Sequence, residues 1–371
     1  MQKKLIALAV AGLLSAPAFA QSNVTLYGSV DYGFVNLGSN NADGVKSRNA
    51  IDSGISKANR IGFKGVEDLG NGLKAVFVLE EGLNGDRGAL FKDVNRQSYA
   101  GLAGGFGTVA FGRHYTPQHL FTSAVDPFGK NGLGSAGNVL VQERRLSNLA
   151  AYISPSFSGF SFIAAYTFNG AAVGGDAEDE HQENHGDIRA WAIAPSFTWE
   201  NLFVAGNYHA ATITQAHASN VSALRVYDLY ASYDFGFVKV GGTLGQRVTK
   251  KQVIGSQKDG KIFQWMIGAT FKVTPIDSIL FSYTRARENA FNNGINRARV
   301  GQWGIGYEHA LSKRTALYAQ FASQSQNDAF KARNFTTVVT DGAVGSVGSS
   351  NLSGATEDYR RGFAFGFRHD F

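Results

Sequence analysis

From about residue 23 onward, apolar and polar side chains alternate along the chain with a period of two. At its far end Phe363, Phe365, Phe367 and Phe371 share one face, broken only by His369. Arg360, Gly362, Ala364, Gly366, Arg368 and Asp370 share the other. Successive side chains of a strand point to opposite sides, whereas a helix would scatter the four phenylalanines around its circumference. The opening stretch repeats the arrangement, with Val24, Leu26, Val30 and Phe34 on one side and Asn23, Thr25, Ser29 and Asp31 on the other. Segments of this kind predict sixteen strands, near 23–36, 59–68, 72–81, 95–103, 106–115, 145–153, 159–168, 189–199, 202–213, 224–234, 237–248, 261–273, 277–288, 298–309, 314–325 and 358–371. Pro195 falls inside one of them, where it cannot donate to the ladder, so a bulge or a shortened strand is expected there.

The connections alternate in length. Short turns such as Leu69-Gly70-Asn71, Gly104-Gly105, Glu200-Asn201 and Thr274-Pro275-Ile276 alternate with long loops at 37–58, 116–144, 169–188, 249–260, 289–297 and 326–357. Short turns at one end and long loops at the other predict an all-β fold, a sixteen-stranded antiparallel transmembrane β-barrel with an apolar outer band. A closed barrel is also the one sheet that leaves no unpaired backbone edge in lipid. Aromatic side chains near strand ends (Tyr152, Phe157, Phe160, Phe168, Tyr227, Tyr233, Phe263, Phe271 and Tyr307) fit two interfacial girdles.

Composition agrees with this reading. The 371 residues include 45 glycines, 28 Phe and 14 Tyr, and the charged fraction of 17% lies below the roughly 25% of soluble domains. Mean hydropathy is only −0.14, too low for a bundle of membrane helices. The absence of cysteine excludes a disulfide scaffold, a Cys-ligated metal and a cysteine nucleophile. Lys3 and Lys4, the apolar run from Leu5 to Leu14 and Ala18-Phe19-Ala20 read as a signal peptide over 1–20. Cleavage would start the mature barrel domain, 21–371, at Gln21 and mark the chain for export; together with the transmembrane barrel, this leads to the expectation of a cell outer membrane.

The motifs are more specific than the pattern. Val24-Thr25-Leu26-Tyr27-Gly28, the stretch from Arg60-Ile61-Gly62-Phe63-Lys64-Gly65 through Glu67-Asp68-Leu69-Gly70-Asn71-Gly72-Leu73-Lys74-Ala75, and Gly105-Phe106-Gly107-Thr108-Val109 with Gly112-Arg113 come first. Tyr152-Ile153-Ser154-Pro155 with Gly159-Phe160, Tyr307 with Leu311-Ser312-Lys313-Arg314-Thr315, and Arg368-His369-Asp370-Phe371 follow. In this order they resemble the Gram-negative general porins of the Neisseria and Burkholderia type. The resemblance implies a homotrimer of sixteen-stranded barrels, each with its third loop folded into the lumen. It also implies passive diffusion of small hydrophilic solutes and ions, often with anion preference, and arginines lining the constriction at the positions of Arg60, Arg96 and Arg145. Phe371 corresponds to the tail read by the barrel-assembly machinery.

The candidate constriction loop is 116–144, long enough to suggest function in a chain of tight turns. It carries Asp126, Lys130, Glu143 and Arg144, and Leu120, Phe121, Val125, Phe128, Leu133 and Val139 could pack it on the wall. A barrel of this size leaves an aqueous channel, whose selectivity comes from its diameter and its charged rings. Strand parity puts Arg60 with Lys64 on the inner face, Lys74 with Glu80, Arg96 with Ser98 and Arg145 with Ser147. Arginine facing mid-bilayer lipid would cost roughly 2–4 kcal/mol. Arg144 and Arg113 join this basic set, although Gly112 leaves the direction of Arg113 open. Glu80, Asp126 and Glu143 are expected to oppose the arginines and so set up a transverse field with a net positive excess that favours anions.

No enzyme is predicted, and no catalytic, metal or cofactor site. His181-Gln182-Glu183-Asn184-His185 lacks the order of a helical zinc motif and sits in an acidic loop suited to divalent cations or lipopolysaccharide headgroups. No nucleic-acid surface is expected, because aromatics alternate with aliphatics and form no basic stripe. The alternatives are a substrate-specific channel, which needs an aromatic track or binding ladder through the lumen, and a barrel adhesin or phage receptor using the long loops.

Overall fold

The computed structural model describes residues 23–38, 48–83, 85–87, 95–129, 131–142, 145–171, 187–214, 221–250, 260–289, 298–327 and 361–371. These form seventeen strand segments and one α-helix: β1 (Asn23–Gly38), β2 (Arg48–Ser53), β3 (Arg60–Gly70), β4 (Leu73–Gly82), β5 (Asn95–Gly104), β6 (Gly107–Tyr115), α1 (Pro117–Val125), β7 (Arg145–Ile153), β8 (Phe160–Ala171), β9 (Asp187–Trp199), β10 (Leu202–Thr214), β11 (Val221–Asp234), β12 (Val238–Lys250), β13 (Gly260–Lys272), β14 (Asp277–Asn289), β15 (Arg299–Ala310), β16 (Thr315–Gln326) and β17 (Arg361–Asp370). Strands adjacent in sequence pair antiparallel from β3 through to β17. β17 then pairs with β1, from Ser29 opposite Asp370 to Gly38 opposite Arg361, which closes the sheet.

On its other edge β1 meets two partners. Asn23 to Ser29 pair with β3, and Tyr32 to Leu37 pair with β2. β2 and β3 are therefore two pieces of one stave, and the seventeen segments build a sixteen-stranded barrel. β2 falls in a region expected to be loop. Its sequence, Arg-Asn-Ala-Ile-Asp-Ser, has no apolar alternation, so what holds it is backbone pairing to β1. Pro195 also departs from expectation. β9 is neither bulged nor shortened, and its register to β10 is the same on both sides of the proline. Only the pairs opposite Gly206 and Asn207 are missing, consistent with the lost N–H of Pro195 and no wider distortion.

The two faces differ as the alternation requires. Phe63, Leu79, Phe111, Leu229, Ile267 and Phe365 are exposed on the outer face. Ser29, Asp31, Glu80, Gln264, Ser282 and Gln320, of the opposite parity, are buried on the polar face. All the expected girdle aromatics are exposed except Tyr152, half-buried, whose hydroxyl donates to the carbonyl of Phe106 at 2.7 Å. The span 1–20, Lys130, Glu143, Arg144, the His181–His185 loop and the loop at 328–360 lie outside the described residues.

Candidate functional site: a basic wall and a segment packed on the polar face

The segment after β6 begins as a helix that the period-two reading did not anticipate, although its local signals are plain. The Thr116 hydroxyl accepts from the His119 amide at 3.2 Å, and Pro117 occupies the first helical position, where its missing N–H costs nothing. Phe121, fully buried, meets the rings of Phe203 on β10 and Tyr230 on β11. Gln118 Nε2 donates to Asp228 at 3.0 Å. Lys239 Nζ donates to the carbonyl of Ala124 at 2.9 Å, a cation at the negative end of the helix.

Beyond α1 the backbone crosses the inner faces of β12 to β16 without joining the sheet. A Cβ on Gly241 would lie 2.5 Å from the carbonyl oxygen of Val125, one on Gly268 2.6 Å from Pro127, and one on Gly306 2.9 Å from Phe128. These glycines let the segment approach the wall closely. Buried peptide groups need partners, and polar wall side chains supply them. Gln320 accepts from the Leu133 amide at 2.9 Å, Ser282 donates to the Gly134 carbonyl at 2.6 Å, and Gln302 donates to Ser135 at 3.1 Å. Gln264 bonds both the amide and the carbonyl of Val141. Phe121, Val125, Phe128, Leu133 and Val139 are buried as expected, and Leu120 is half-buried.

Staves β3 to β7 carry those of the predicted basic residues that the structure describes. Glu80 on β4, 5% exposed, lies at the centre. Its Oε1 accepts from Arg96 Nε at 2.6 Å, and its Oε2 accepts from the Tyr27 hydroxyl at 3.1 Å and lies 3.5 Å from Arg60 Nε. Arg96 Nη2 also donates to the Tyr115 hydroxyl at 2.6 Å. The Arg145 guanidinium stands 5.7 Å from the Tyr115 ring centre, and Lys64 Nζ 5.6 Å from that of Tyr27, both within cation–π range. Glu80 thus sits among the arginines and bridges two of them, whereas opposition across the lumen was expected. The cause is register: Glu80 pairs with Gly62 and Gln97, next to both arginine positions.

Other positions also differ from expectation. Ser98 lies opposite Leu79 and is exposed, so simple alternation would send Arg96 outward too. A register shift between Glu80 and Glu81 leaves Arg96 as the extra residue, and this bulge turns it inward. Lys74 shares the face of Glu80 but stands six residues away along β4 beside the Gly70–Gly72 turn, roughly 20 Å at strand rise, and so lies apart from the cluster. Arg113 follows Gly112 at φ 129° and donates to Ser147 at 2.7 Å. The carboxylate of Asp126 is turned into its own segment, where it accepts from the Phe128 amide, the Ala136 amide and the Ser135 hydroxyl at 2.8–3.0 Å. Burial outweighs these donors and pushes its pKa up to about 7. Tyr27 and Tyr115, which frame the cluster, were missed by the sequence reading. Tyr27 could have been found, since it shares the inward parity of Ser29 and Asp31.

A closed antiparallel barrel, apolar outside and lined within by charged and amide side chains, is the wall of a membrane channel. A family model described as Gram-negative porin matches residues 7–329, and the chain belongs to that family. It is 32% identical over 340 residues to outer membrane porin protein 32 of Delftia acidovorans, covering 89% of this chain and 91% of that one. It is 31% identical over 376 residues to an outer membrane porin protein of Bordetella pertussis, covering 89% of this chain and 96% of that one. Among solved structures it resembles an anion-selective porin from Comamonas acidovorans, with 27% identity, a TM-score of 0.72 and coverage of 95% of this chain and all of that one. The family read from the motifs is thereby borne out, as are its location in the outer membrane and its function as a general porin.

Proposed function

We propose that the barrel passes small hydrophilic solutes with a preference for anions, and that its narrowest passage lies between the segment 116–144 and the basic wall of β3 to β7. The observation that carries this reading is the distribution of the two features. The segment hydrogen-bonds to the wall on β11 to β16, while Arg60, Arg96 and Arg145 stand on β3, β5 and β7. Among the described residues, Arg60 and Arg96 flank the Glu80 carboxylate, and Arg145 and Lys64 stand over the Tyr115 and Tyr27 rings beside it, a basic cluster whose local field attracts anions. The resemblance to an anion-selective porin supports the same sign. Reversal potential under a KCl gradient tests it. Arg60→Gln, Arg96→Gln and Arg145→Gln together should move the permeability ratio toward unity, and an unchanged ratio would remove these residues from the account.

A substrate-specific channel has one observation in its favour. Tyr99 and His114 stack at 4.6 Å and Tyr115 and His119 at 4.8 Å, a short run of rings beside the arginines. Liposome swelling with solutes of graded size separates the two readings: a size cut-off without saturation fits diffusion, saturable uptake of one solute fits a binding track. The remaining assignments belong to the same proposal. Residues 1–20 direct export, lipopolysaccharide surrounds the outer face, three barrels associate as a homotrimer, and the assembly machinery reads Phe371. Migration of unheated and heated protein on gels reads barrel and oligomer together.

A further inference from the structure

Between β2 and β3 the second stave leaves the wall. Residues 54–59, six in number, lie opposite only Val30 and Asp31 of β1. The excursion is tightly held. The Gly54 amide donates to the Asp31 carbonyl at 2.9 Å. The Asp31 carboxylate accepts from the amides of Ser56 and Lys57 at 2.9 and 2.6 Å and from the Tyr318 hydroxyl at 2.6 Å. The Asp31 amide in turn donates to Asn59 Oδ1 at 2.6 Å. Arg368 donates to the Ser56 hydroxyl at 3.0 Å, and Lys57 pairs with Asp370 at 2.7 Å. Asp31, Tyr318, Arg368 and Asp370 come from three staves, so the anchoring spans the closing seam.

This scaffold carries two buried apolar side chains, Ala58 and the larger Ile55. Ile55 is 0% exposed and shares a cluster with Val35, Tyr318, Ala322, Ala364 and Leu133. The first four belong to the wall, but Leu133 belongs to the segment 116–144, at the point where that segment reaches farthest around the barrel, on Gln320 of β16. On that stave Leu133 has one backbone hydrogen bond to the wall, and its side chain is buried in the cluster that Ile55 helps build.

We propose that residues 54–59 are a second inward-turned element that fixes the far end of the constriction segment, with Ile55 as the positioning residue acting through Leu133. The width of the passage is then set by two chain segments together. This rests on the reading that 116–144 narrows the pore. A shared apolar cluster suits the task because it imposes shape without adding charge beside the arginines.

The test uses the full-length barrel in planar bilayers and liposomes, comparing Ile55→Ala, Leu133→Ala and the double variant with the parent. The expected result is greater open-channel current noise and a size cut-off shifted to larger sugars in each single variant, with the double variant no worse than either and the reversal potential unmoved. Ile55→Val, which removes one methyl group, should shift the same readouts less and covers the case in which Ile55→Ala fails to assemble. If Leu133→Ala alters the passage while Ile55→Ala and Ile55→Val behave as parent, the inference falls and the constriction reading survives. If neither alters it, both fall. A lower yield of assembled barrel with parent-like single channels would reduce Ile55 to a structural role and overturn the inference.

Discussion

Glu80 has two duties that pull in opposite directions. It is a buried carboxylate between two guanidinium groups, so it permits Arg60 and Arg96 to stand on the two staves that flank its own, yet it cancels part of the charge that would draw anions. Glu80→Gln separates these duties. Loss of the anion should raise the anion-to-cation permeability ratio, read from reversal potentials in a salt gradient. It should also destabilise the folded barrel by on the order of 3 kcal/mol, because removing one partner of a buried pair strands the other charge. Thermal migration shifts on gels report that cost. If the permeability ratio fell instead, Glu80 would not be a counter-charge to the passage. Asp126 looks similar in composition but does different work. Its three donors all come from its own segment, so it shapes the loop without setting the field across the pore.

Among the elements, α1 shows how little of the wall needs to be special to seat an inner segment. Its last turn lies on Gly241, where an added Cβ would meet the Val125 carbonyl at 2.5 Å. Backbone cannot yield there as a flexible side chain would. Gly241→Ala should therefore lift the helix end at a cost of about 1–3 kcal/mol, seen as faster proteolysis within 116–144 and an altered conductance with the barrel intact. Unchanged proteolysis and conductance would mean the helix adjusts freely. The sixteen staves were legible in the sequence because each has one lipid face and one polar face, and that alternation is imposed by the bilayer. The inner elements were less legible because they follow other rules. β2 is held by pairing to β1, α1 is marked only by Thr116-Pro117, and residues 54–59 depend on an aspartate about twenty-five positions away. Arg96 was assigned to the correct face on a parity that is itself wrong. A bulge is an insertion in the ladder, and periodicity counted along a single strand cannot register it.

At the scale of the whole molecule, everything depends on closure, and closure depends on a seam made late in the chain. β17 pairs with β1 over ten positions, and Phe371 extends the contact past the last of them. Its carbonyl accepts from the Gly28 amide and its amide donates to the Gly28 carbonyl, both at 3.2 Å. Its ring occupies the space where Gly28 would carry a side chain, since a Cβ built there would overlap the ring. The glycine and the aromatic residue are thus complementary parts of one joint at the short-turn end. Removing Phe371 should lower the amount of assembled, heat-modifiable barrel while leaving export intact. Gly28→Val should do the same with Phe371 present, because the new side chain and the ring compete for one site. The pair of variants also separates two causes. If loss of Phe371 impairs assembly but Gly28→Val does not, the residue acts as a tail recognised by another protein and the packing at Gly28 is incidental. If both impair it, the joint itself limits closure. Parent-like assembly in both would remove Phe371 from either role and leave the ten-residue ladder as sufficient to shut the barrel.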